Sequence, residues 1–233
     1  MRDGSIYAHE ALIRGPKGMP LQMPDALLAA ARKEGLLLDF EIACMSSALA
    51  SWSALRQSGR LFVNLSASAL LQMIRAQSPE AILQSVRALG LQPRMLVIEI
   101  TEHEHVADIP ALDDAVQQFH AAGVMLALDD FGDGRSSLRL WSELRPDIVK
   151  IDKHFTAGLS RHAKKLQTLR ALMQIAEVFG STLVAEGIET AEDLRVVRDL
   201  GIGLGQGYFM GRPQPSPRTE IDTEASTVLR DQR

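Results

Sequence analysis

Short apolar runs alternate with longer amphipathic segments along most of the chain, and this alternation limits the fold more than any other feature of the sequence. The runs predict strands at Ile6–Leu12, Leu61–Leu65, Leu96–Ile100, Val124–Asp129, Asp147–Ile151, Thr182–Glu186 and Leu204–Met210. The segments between them carry apolar residues three and four positions apart, as helices packed by one face do. They predict helices at Pro24–Glu34, Asp39–Gln57, Pro79–Leu89, Pro110–Ala122, Lys164–Phe179 and Ala191–Leu200.

A glycine closes several of these segments just before the next apolar run. The glycines, each predicted to be a helix C-terminal cap, are Gly59, Gly90, Gly123, Gly180 and Gly201. Repeated helix–glycine–strand units indicate parallel strands joined by helical crossovers, with the sheet buried on both faces. Either an open doubly wound sheet or a closed barrel fits. Hydrophobic residues make up 46% of the 233, enough for a core, and we expect one domain over residues 1–213. A polar tail, either poorly ordered or a short terminal helix, is expected over 214–233.

Every apolar run holds a polar residue at or just beyond its end. These residues are Glu10, Asn64, Glu99, Asp129, Asp130, Lys150, Asp152, Glu186 and Gln206. The C-terminal ends of barrel strands form one ring, where the active sites of such folds are found. An open sheet would spread seven strand ends along a line. The pattern therefore favours a (β/α)8 TIM-like barrel, an α/β fold, and seven runs instead of eight predict that the first strand is missing or truncated.

The charges in this ring predict bound cations. Six carboxylates would converge, opposed by Lys150 and Arg14. Like charges about 4 Å apart repel by several kcal/mol in a cleft of intermediate dielectric. Divalent metal compensates such repulsion, and a ligand set made of oxygen atoms favours Mg²⁺ or Mn²⁺ over Zn²⁺. The adjacent Asp129 and Asp130 can serve two ions, and paired metals are a common device for in-line attack on a phosphodiester.

Composition limits the classes of binding partner and the cellular compartment that we expect for this chain. The net charge of −4 argues against binding to nucleic-acid polymers, which needs a basic face. Cys44 is the one cysteine, so an internal disulfide framework is excluded and a reducing compartment fits. We see neither an apolar run of the roughly 20 residues that cross a bilayer nor a signal region. A cytoplasmic domain is expected, and the parent protein could still be membrane-anchored.

Seven motifs, in order, resemble those of a known family. They are Glu10-Ala11-Leu12 with Arg14, Asn64-Leu65-Ser66, Glu99-Ile100-Thr101-Glu102, Asp129-Asp130-Phe131-Gly132, Lys150-Ile151-Asp152, Ala185-Glu186-Gly187-Ile188-Glu189 and Gln206-Gly207-Tyr208. Over residues 6 to 213 the chain resembles the EAL-domain phosphodiesterases. These enzymes open cyclic dimeric GMP (cyclic di-GMP) to linear pGpG on a (β/α)8-like barrel.

The resemblance implies a role for each matching residue. One metal would be ligated by Glu10, Asn64, Glu99 and Asp129, and a second would be surrounded by Asp129, Asp130 and Glu186. Lys150 would contact the attacking water and the phosphate, and Glu186 would help to deprotonate that water. Gln206 would join the water network, and Asp152 is grouped with these catalytic residues. Leu12 and Arg14 would bind substrate, with Arg14 on the non-scissile phosphate. Glu102 and Glu189 would support the loop after Asp130.

Two departures from the family pattern keep alternatives open. The chain has Asp133-Gly134-Arg135 where the family often has a threonine and an aromatic residue, and the family's extra first strand is absent before Ile6. The alternative is a catalytically weak or silent cyclic di-GMP receptor that signals through a dimer interface. An unrelated Mg²⁺-dependent barrel enzyme is the third hypothesis. The resemblance also implies a homodimer, and we expect fusion to sensory or cyclase domains.

Overall fold

The computed structural model describes residues 4–57, 59–101, 108–132 and 138–231, with Thr101 described by its backbone alone. The chain divides into two compact units, which are taken in turn. One comprises Ala8–Met125, and the other comprises Met1–Tyr7 together with Leu126–Arg233.

The Ala8–Met125 unit contains three parallel strands and five α-helices among its described residues. The strands are β1 (Ala8–Glu10), β2 (Arg60–Ser66) and β3 (Leu96–Thr101), paired in chain order. The helices are α1 (Pro24–Lys33), α2 (Leu37–Leu55), α3 (Ala67–Ala76), α4 (Pro79–Ala88) and α5 (Ile109–Ala121), and a 3₁₀ turn at Pro93–Met95 precedes β3. Phe62 and Val63 on β2, and Val97 and Ile98 on β3, are adjacent pairs whose side chains point to opposite faces. All four are at most 6% exposed, which confirms the predicted two-sided burial.

The second unit contains four strands and five α-helices within the part of the chain that the structure describes. Its strands are β4 (Met125–Phe131), β5 (Ile148–Ile151), β6 (Thr182–Ala185) and β7 (Leu204–Gly205), which pair in parallel in chain order. The first residue of β4, Met125, belongs to the other unit. Its helices are α6 (Leu138–Leu144), α7 (Lys153–Thr156), α8 (Ala163–Phe179), α9 (Ala191–Leu200) and α10 (Thr223–Arg230). Trp141 of α6 is buried, and its indole N–H donates to the Ser181 hydroxyl over 2.9 Å.

The predicted α/β class, with parallel strands joined by helices, is confirmed. The prediction of Leu204–Met210 as a strand is wrong beyond Gly205, because the chain turns there. The carbonyl of Gln206 accepts from Ile188 N–H over 3.1 Å, and Phe209 N–H donates to the Ile188 carbonyl over 3.1 Å. The prediction of Gly59 as the cap of α2 is also wrong. Arg56 occupies the left-handed conformation there, with φ of 49°.

The sequence predicts neither α3 nor α7, because each starts directly at the end of a strand. A single side chain begins each helix. The Ser66 hydroxyl accepts from Ala69 N–H over 3.1 Å, and the Asp152 carboxylate accepts from His154 N–H over 2.8 Å. Both satisfy a helix N-terminal amide that would otherwise lack an acceptor.

Within 214–233 the chain forms α10, which packs against α9. Ala225, Val228 and Leu229 are buried, and Arg198 of α9 donates to the carbonyls of Val228 and Asp231 over 2.6 and 2.8 Å. A cation at a helix C-terminus satisfies the last carbonyls. Among the described residues, none of the helices is both long enough and apolar enough to span a bilayer.

Asp193, in the first turn of α9, is a buried carboxylate at 2% exposure. It accepts from Gly158 N–H over 3.0 Å and from Ser160 N–H over 2.9 Å, which ties α9 to the 3₁₀ turn at Leu159–Arg161. Burial by itself would raise the pKa of Asp193. Hydrogen bonds from Ser160, Gly158 and Thr190 outweigh burial, and the pKa lies below its ordinary value.

We expect Asp193→Ala to lower the free energy of unfolding at pH 7 by about 1–3 kcal/mol, because two backbone amides lose the charged acceptor that they share. Since the folded-state pKa is depressed, the carboxylate stabilises the fold fully above its unfolded pKa of about 3.9. That stabilisation is lost as pH falls through the folded pKa. Urea unfolding from pH 7 to pH 2 should show the wild type approaching the variant at low pH. Asp114→Asn, at an exposed position of α5, is the control. A constant gap across this range would contradict the prediction.

Candidate functional site

Strand β4 contains an irregularity at the adjacent acids Asp129 and Asp130. In its pairing with β5, Leu128 lies opposite Val149 and Phe131 lies opposite Ile151, so Asp129 and Asp130 together oppose Lys150. Two residues against one define a β-bulge. Asp130 has φ of 49°, in the left-handed region that Asp tolerates better than most residues. A regular strand would point successive side chains to opposite faces. The bulge lets both carboxylates serve one site.

Lys150 lies between two carboxylates. Its Nζ is 3.0 Å from Asp129 Oδ1 and 2.9 Å from Glu186 Oε1, and its side chain is 3% exposed. The position follows from the sheet, because Lys150 pairs with Val184 on β6 and Glu186 lies just beyond the end of that strand. Glu186 N–H donates to the Ile151 carbonyl over 3.2 Å, which continues the ladder by one residue. A nearly buried ammonium thus orients both carboxylates.

The three carboxylates of this unit fit a divalent cation. Asp129, Asp130 and Glu186 each offer an oxygen, and these oxygens lie within 4.8 Å of one another. With Lys150 the formal charge of the group is −2, the charge that a divalent cation would neutralise. Oxygen donors of this kind suit Mg²⁺ or Mn²⁺. Within this unit the structure brings Asp129, Asp130, Glu186 and Lys150 together.

Three other predicted residues lie nearby in the chain. Gln206 follows β7, is exposed, and donates its N–H to the Ala185 carbonyl over 2.8 Å. Asp152 follows β5, and one of its oxygens caps α7. Glu189 is exposed in the loop before the α9 cap Thr190. Gln206 therefore lies at a strand end as predicted, and Asp152 has a structural role that the sequence did not reveal.

The other unit brings together three of the predicted ligands. Asn64 pairs in register with Glu99, and its Nδ2 donates to Glu10 Oε1 over 3.2 Å. Glu10 is opposite Phe62, two residues before Asn64, so period-two alternation puts all three on one face. Glu99 is fully buried. Two carboxylates and an amide on one face supply oxygen donors of the kind that hard cations prefer.

The remaining predicted residues are peripheral or undescribed. Leu12 is 41% exposed, and Arg14 is exposed with Nη1 donating to the Ile13 carbonyl over 2.7 Å. Both follow β1 by a few residues. Glu102 lies outside the described residues, as do Asp133 and Arg135.

Comparison with known proteins decides the family. A family model described as "EAL domain" matches residues 1–213. This chain belongs to the EAL domain family.

Relatives of this EAL domain include signalling proteins and named phosphodiesterases. It is 31% identical, over 91% of its length, to an uncharacterised signalling protein of Caulobacter vibrioides, of which it covers 26%. It is 32% identical, over 64% of its length, to the cyclic di-GMP phosphodiesterase TpdA of Vibrio parahaemolyticus, again covering 26% of the relative. The chain thus spans about a quarter of the length of these relatives.

Solved structures of Klebsiella pneumoniae BlrP1 share the fold. A calcium and cyclic di-GMP complex of BlrP1 matches with a TM-score of 0.80 and 30% identity, over 92% of this chain and 53% of that one. A manganese and cyclic di-GMP complex matches with a TM-score of 0.76 and 31% identity, over 88% of this chain and 51% of that one.

Two residues that support the EAL site escaped sequence reasoning. Glu41 of α2 accepts from Ser66 N–H over 2.9 Å, two residues after Asn64. Thr156 of α7 donates its hydroxyl to the Glu186 carbonyl. Glu41 is a polar residue on a helix predicted to be amphipathic. Thr156 lies between the predicted strand Asp147–Ile151 and the predicted helix Lys164–Phe179, where the sequence predicts no element. Neither role can be predicted from the sequence without knowing which backbone atoms of other segments lie next to Glu41 and Thr156.

We expect Lys150→Met to destabilise the metal-free domain by about 3–5 kcal/mol, because the carboxylates of Asp129 and Glu186 lose the ammonium between them. Mn²⁺ should then raise the melting temperature of the variant more than that of the wild type, since the ion restores positive charge. Thermal melts with chelator and with Mn²⁺ measure both effects. Lys164→Met, on an exposed turn of α8, is the matched control. Equal stability of Lys150→Met and wild type in chelator would show that the ion pairs are not stabilising.

Proposed function

We propose that this EAL domain is a metal-dependent phosphodiesterase that hydrolyses cyclic di-GMP to linear pGpG in bacterial second-messenger signalling. The observation that carries the proposal is the cluster of Asp129, Asp130 and Glu186 around Lys150. Relatives named as cyclic di-GMP phosphodiesterases support it, as do related structures that hold cyclic di-GMP with calcium or manganese.

Two ions, Mg²⁺ or Mn²⁺, are proposed. Asp129, Asp130 and Glu186 would hold one ion, and Glu10, Asn64 and Glu99 would ligate the other. Bound divalent metal lowers the pKa of water and neutralises charge on phosphoryl oxygens. Both sets contain oxygen donors alone, which supports hard cations.

The chain's own groups have distinct tasks in this proposal. Lys150 forms ion pairs with Asp129 and Glu186 and so holds both carboxylates in place before substrate arrives. Its ammonium would also stabilise negative charge on a phosphoryl oxygen. Glu186 accepts the proton of the attacking water as a general base, a role that needs a carboxylate within hydrogen-bond reach of that water. Gln206, which is exposed, would position water, and Asp152 caps α7.

Substrate contacts outside the reacting phosphate fall to the segment after β1. Arg14 has an exposed guanidinium, which pairs with phosphate oxygens in a fixed planar geometry. Leu12 offers an exposed apolar side chain to a purine base. Glu189, and Glu102 by resemblance, are proposed to support the loop after Asp130.

The relatives are more than twice as long as this chain. That length supports the proposal that the domain acts within a longer protein with sensory or cyclase domains. Homodimerisation, a cytoplasmic location for the domain, and the division into a barrel at 1–213 and a segment at 214–233 are carried forward as proposals.

We expect the wild type to convert cyclic di-GMP to pGpG with Mg²⁺ or Mn²⁺, and Asp129→Asn to lower kcat by about a thousandfold, roughly 4 kcal/mol. The amide keeps the size of the side chain but removes a negative charge and half of the acceptor capacity. Product is measured by chromatography. Asp114→Asn, on the exposed face of α5, should retain wild-type turnover.

Absence of turnover in the wild type with either metal would refute the enzyme. Binding of cyclic di-GMP by calorimetry without cleavage would then favour the receptor alternative. Failure to bind the dinucleotide would refute both the phosphodiesterase and the receptor, and would favour a different Mg²⁺-dependent reaction.

A further inference from the structure

The carbonyl of Glu186 is held by a side chain from a different element. Thr156, the last residue of α7, is fully buried, and its hydroxyl donates to that carbonyl. The two residues are 30 positions apart in sequence. A carbonyl shielded from water needs a donor, and this part-buried one receives it from a threonine at the end of a four-residue helix.

The peptide groups on both sides of Glu186 are therefore fixed. On the N-terminal side, Glu186 N–H donates to the Ile151 carbonyl over 3.2 Å. On the C-terminal side, the Thr156 hydroxyl binds the carbonyl. Because the Cα–Cβ bond leaves the backbone between these two groups, both contacts together set the direction in which the Glu186 side chain projects.

Close packing makes α7 a firm support for this contact. Gly187 has φ of 63°, and a Cβ built there would lie 2.4 Å from Lys153 Cβ, at the start of α7. Any other residue at Gly187 would force the two segments apart. The Asp152 carboxylate caps the same helix over 2.8 Å. Asp152 therefore caps the N-terminus of α7, and the same end of the helix packs closely against Gly187, the residue after Glu186.

We propose that Thr156 is a positioning residue for Glu186. Its hydroxyl aims the Glu186 carboxylate at Lys150 Nζ and keeps it within reach of Asp129 and Asp130. The consequence for catalysis rests on the proposed phosphodiesterase function. The effects on the ion pair and on metal affinity do not. Valine would fill the same space as threonine, so the inference depends on the hydroxyl group alone.

Three variants separate the hydroxyl from packing. Thr156→Val keeps the shape and removes the donor, and Thr156→Ser keeps the donor and removes a methyl group. Thr227→Val, at an exposed position of α10 where the hydroxyl also donates to a backbone carbonyl, controls for the substitution itself. If Thr156→Val does not fold, Thr156→Ser against Thr156→Ala gives the same comparison, since those two differ by the hydroxyl.

Crystal structures of the metal-free variants test the geometry directly. We expect the ion pair between Lys150 Nζ and Glu186 Oε1, now 2.9 Å long, to be kept in Thr156→Ser. In Thr156→Val the two atoms should move too far apart to form an ion pair. Calorimetry with Mn²⁺ alone should show an affinity about tenfold weaker in Thr156→Val, the usual effect of removing a residue that orients a ligand. Thr156→Ser and Thr227→Val should match the wild type. In turnover assays, kcat should fall while KM changes little.

An unchanged ion pair and unchanged Mn²⁺ affinity in Thr156→Val would overturn the proposal. Equal losses in Thr156→Ser and Thr156→Val would also overturn it, because packing would then be the cause. A wild type without turnover would refute the proposed enzyme, and the metal-free structures would still decide the role of Thr156.

Discussion

The ammonium of Lys150 is the interaction on which the rest of the site depends. Asp129 lies on β4 and Glu186 lies just beyond the end of β6, and each carries a negative charge where little solvent reaches it. Two such charges would repel without a cation between them. Lysine supplies that cation from the strand that lies between the other two. The charge left over after this pairing, together with Asp130, is what makes the cluster suited to a metal ion.

Sequence reasoning was most successful where burial and periodicity act together. The apolar runs gave β2, β3 and β5 nearly to the residue, because buried parallel strands are continuous apolar stretches. The polar residues of those runs, Asn64, Glu99 and Lys150, lie within the strands, one or two residues before their ends. Short elements were harder to predict. Helix α7 has four residues, and one capping contact from Asp152 starts it. Strand β7 stops early because backbone bonds to Ile188 redirect the chain, a tertiary effect without a local signal.

The supports of the site were beyond sequence reasoning altogether. Glu41 and Thr156 act on backbone atoms of other segments, and the identity of the acceptor or donor opposite them is fixed by the fold. A side chain that binds another side chain leaves a pattern of complementary residue types. A side chain that binds a backbone group leaves none, because every residue has the same backbone. Residues that aim a catalytic group from behind are therefore the ones that motif searches overlook.

The bulge in β4 has a consequence for anyone who transplants this site. Two neighbouring acids face the same way here only because the strand carries one residue more than its partner between Leu128 and Phe131. Copying Asp-Asp into an ordinary strand would send one carboxylate into the apolar layer behind the sheet. A transferred site would need both acids, the extra residue of the bulge and the left-handed conformation of Asp130. A designer, or an ancestral gene acquiring such a centre, needs an insertion as well as two substitutions.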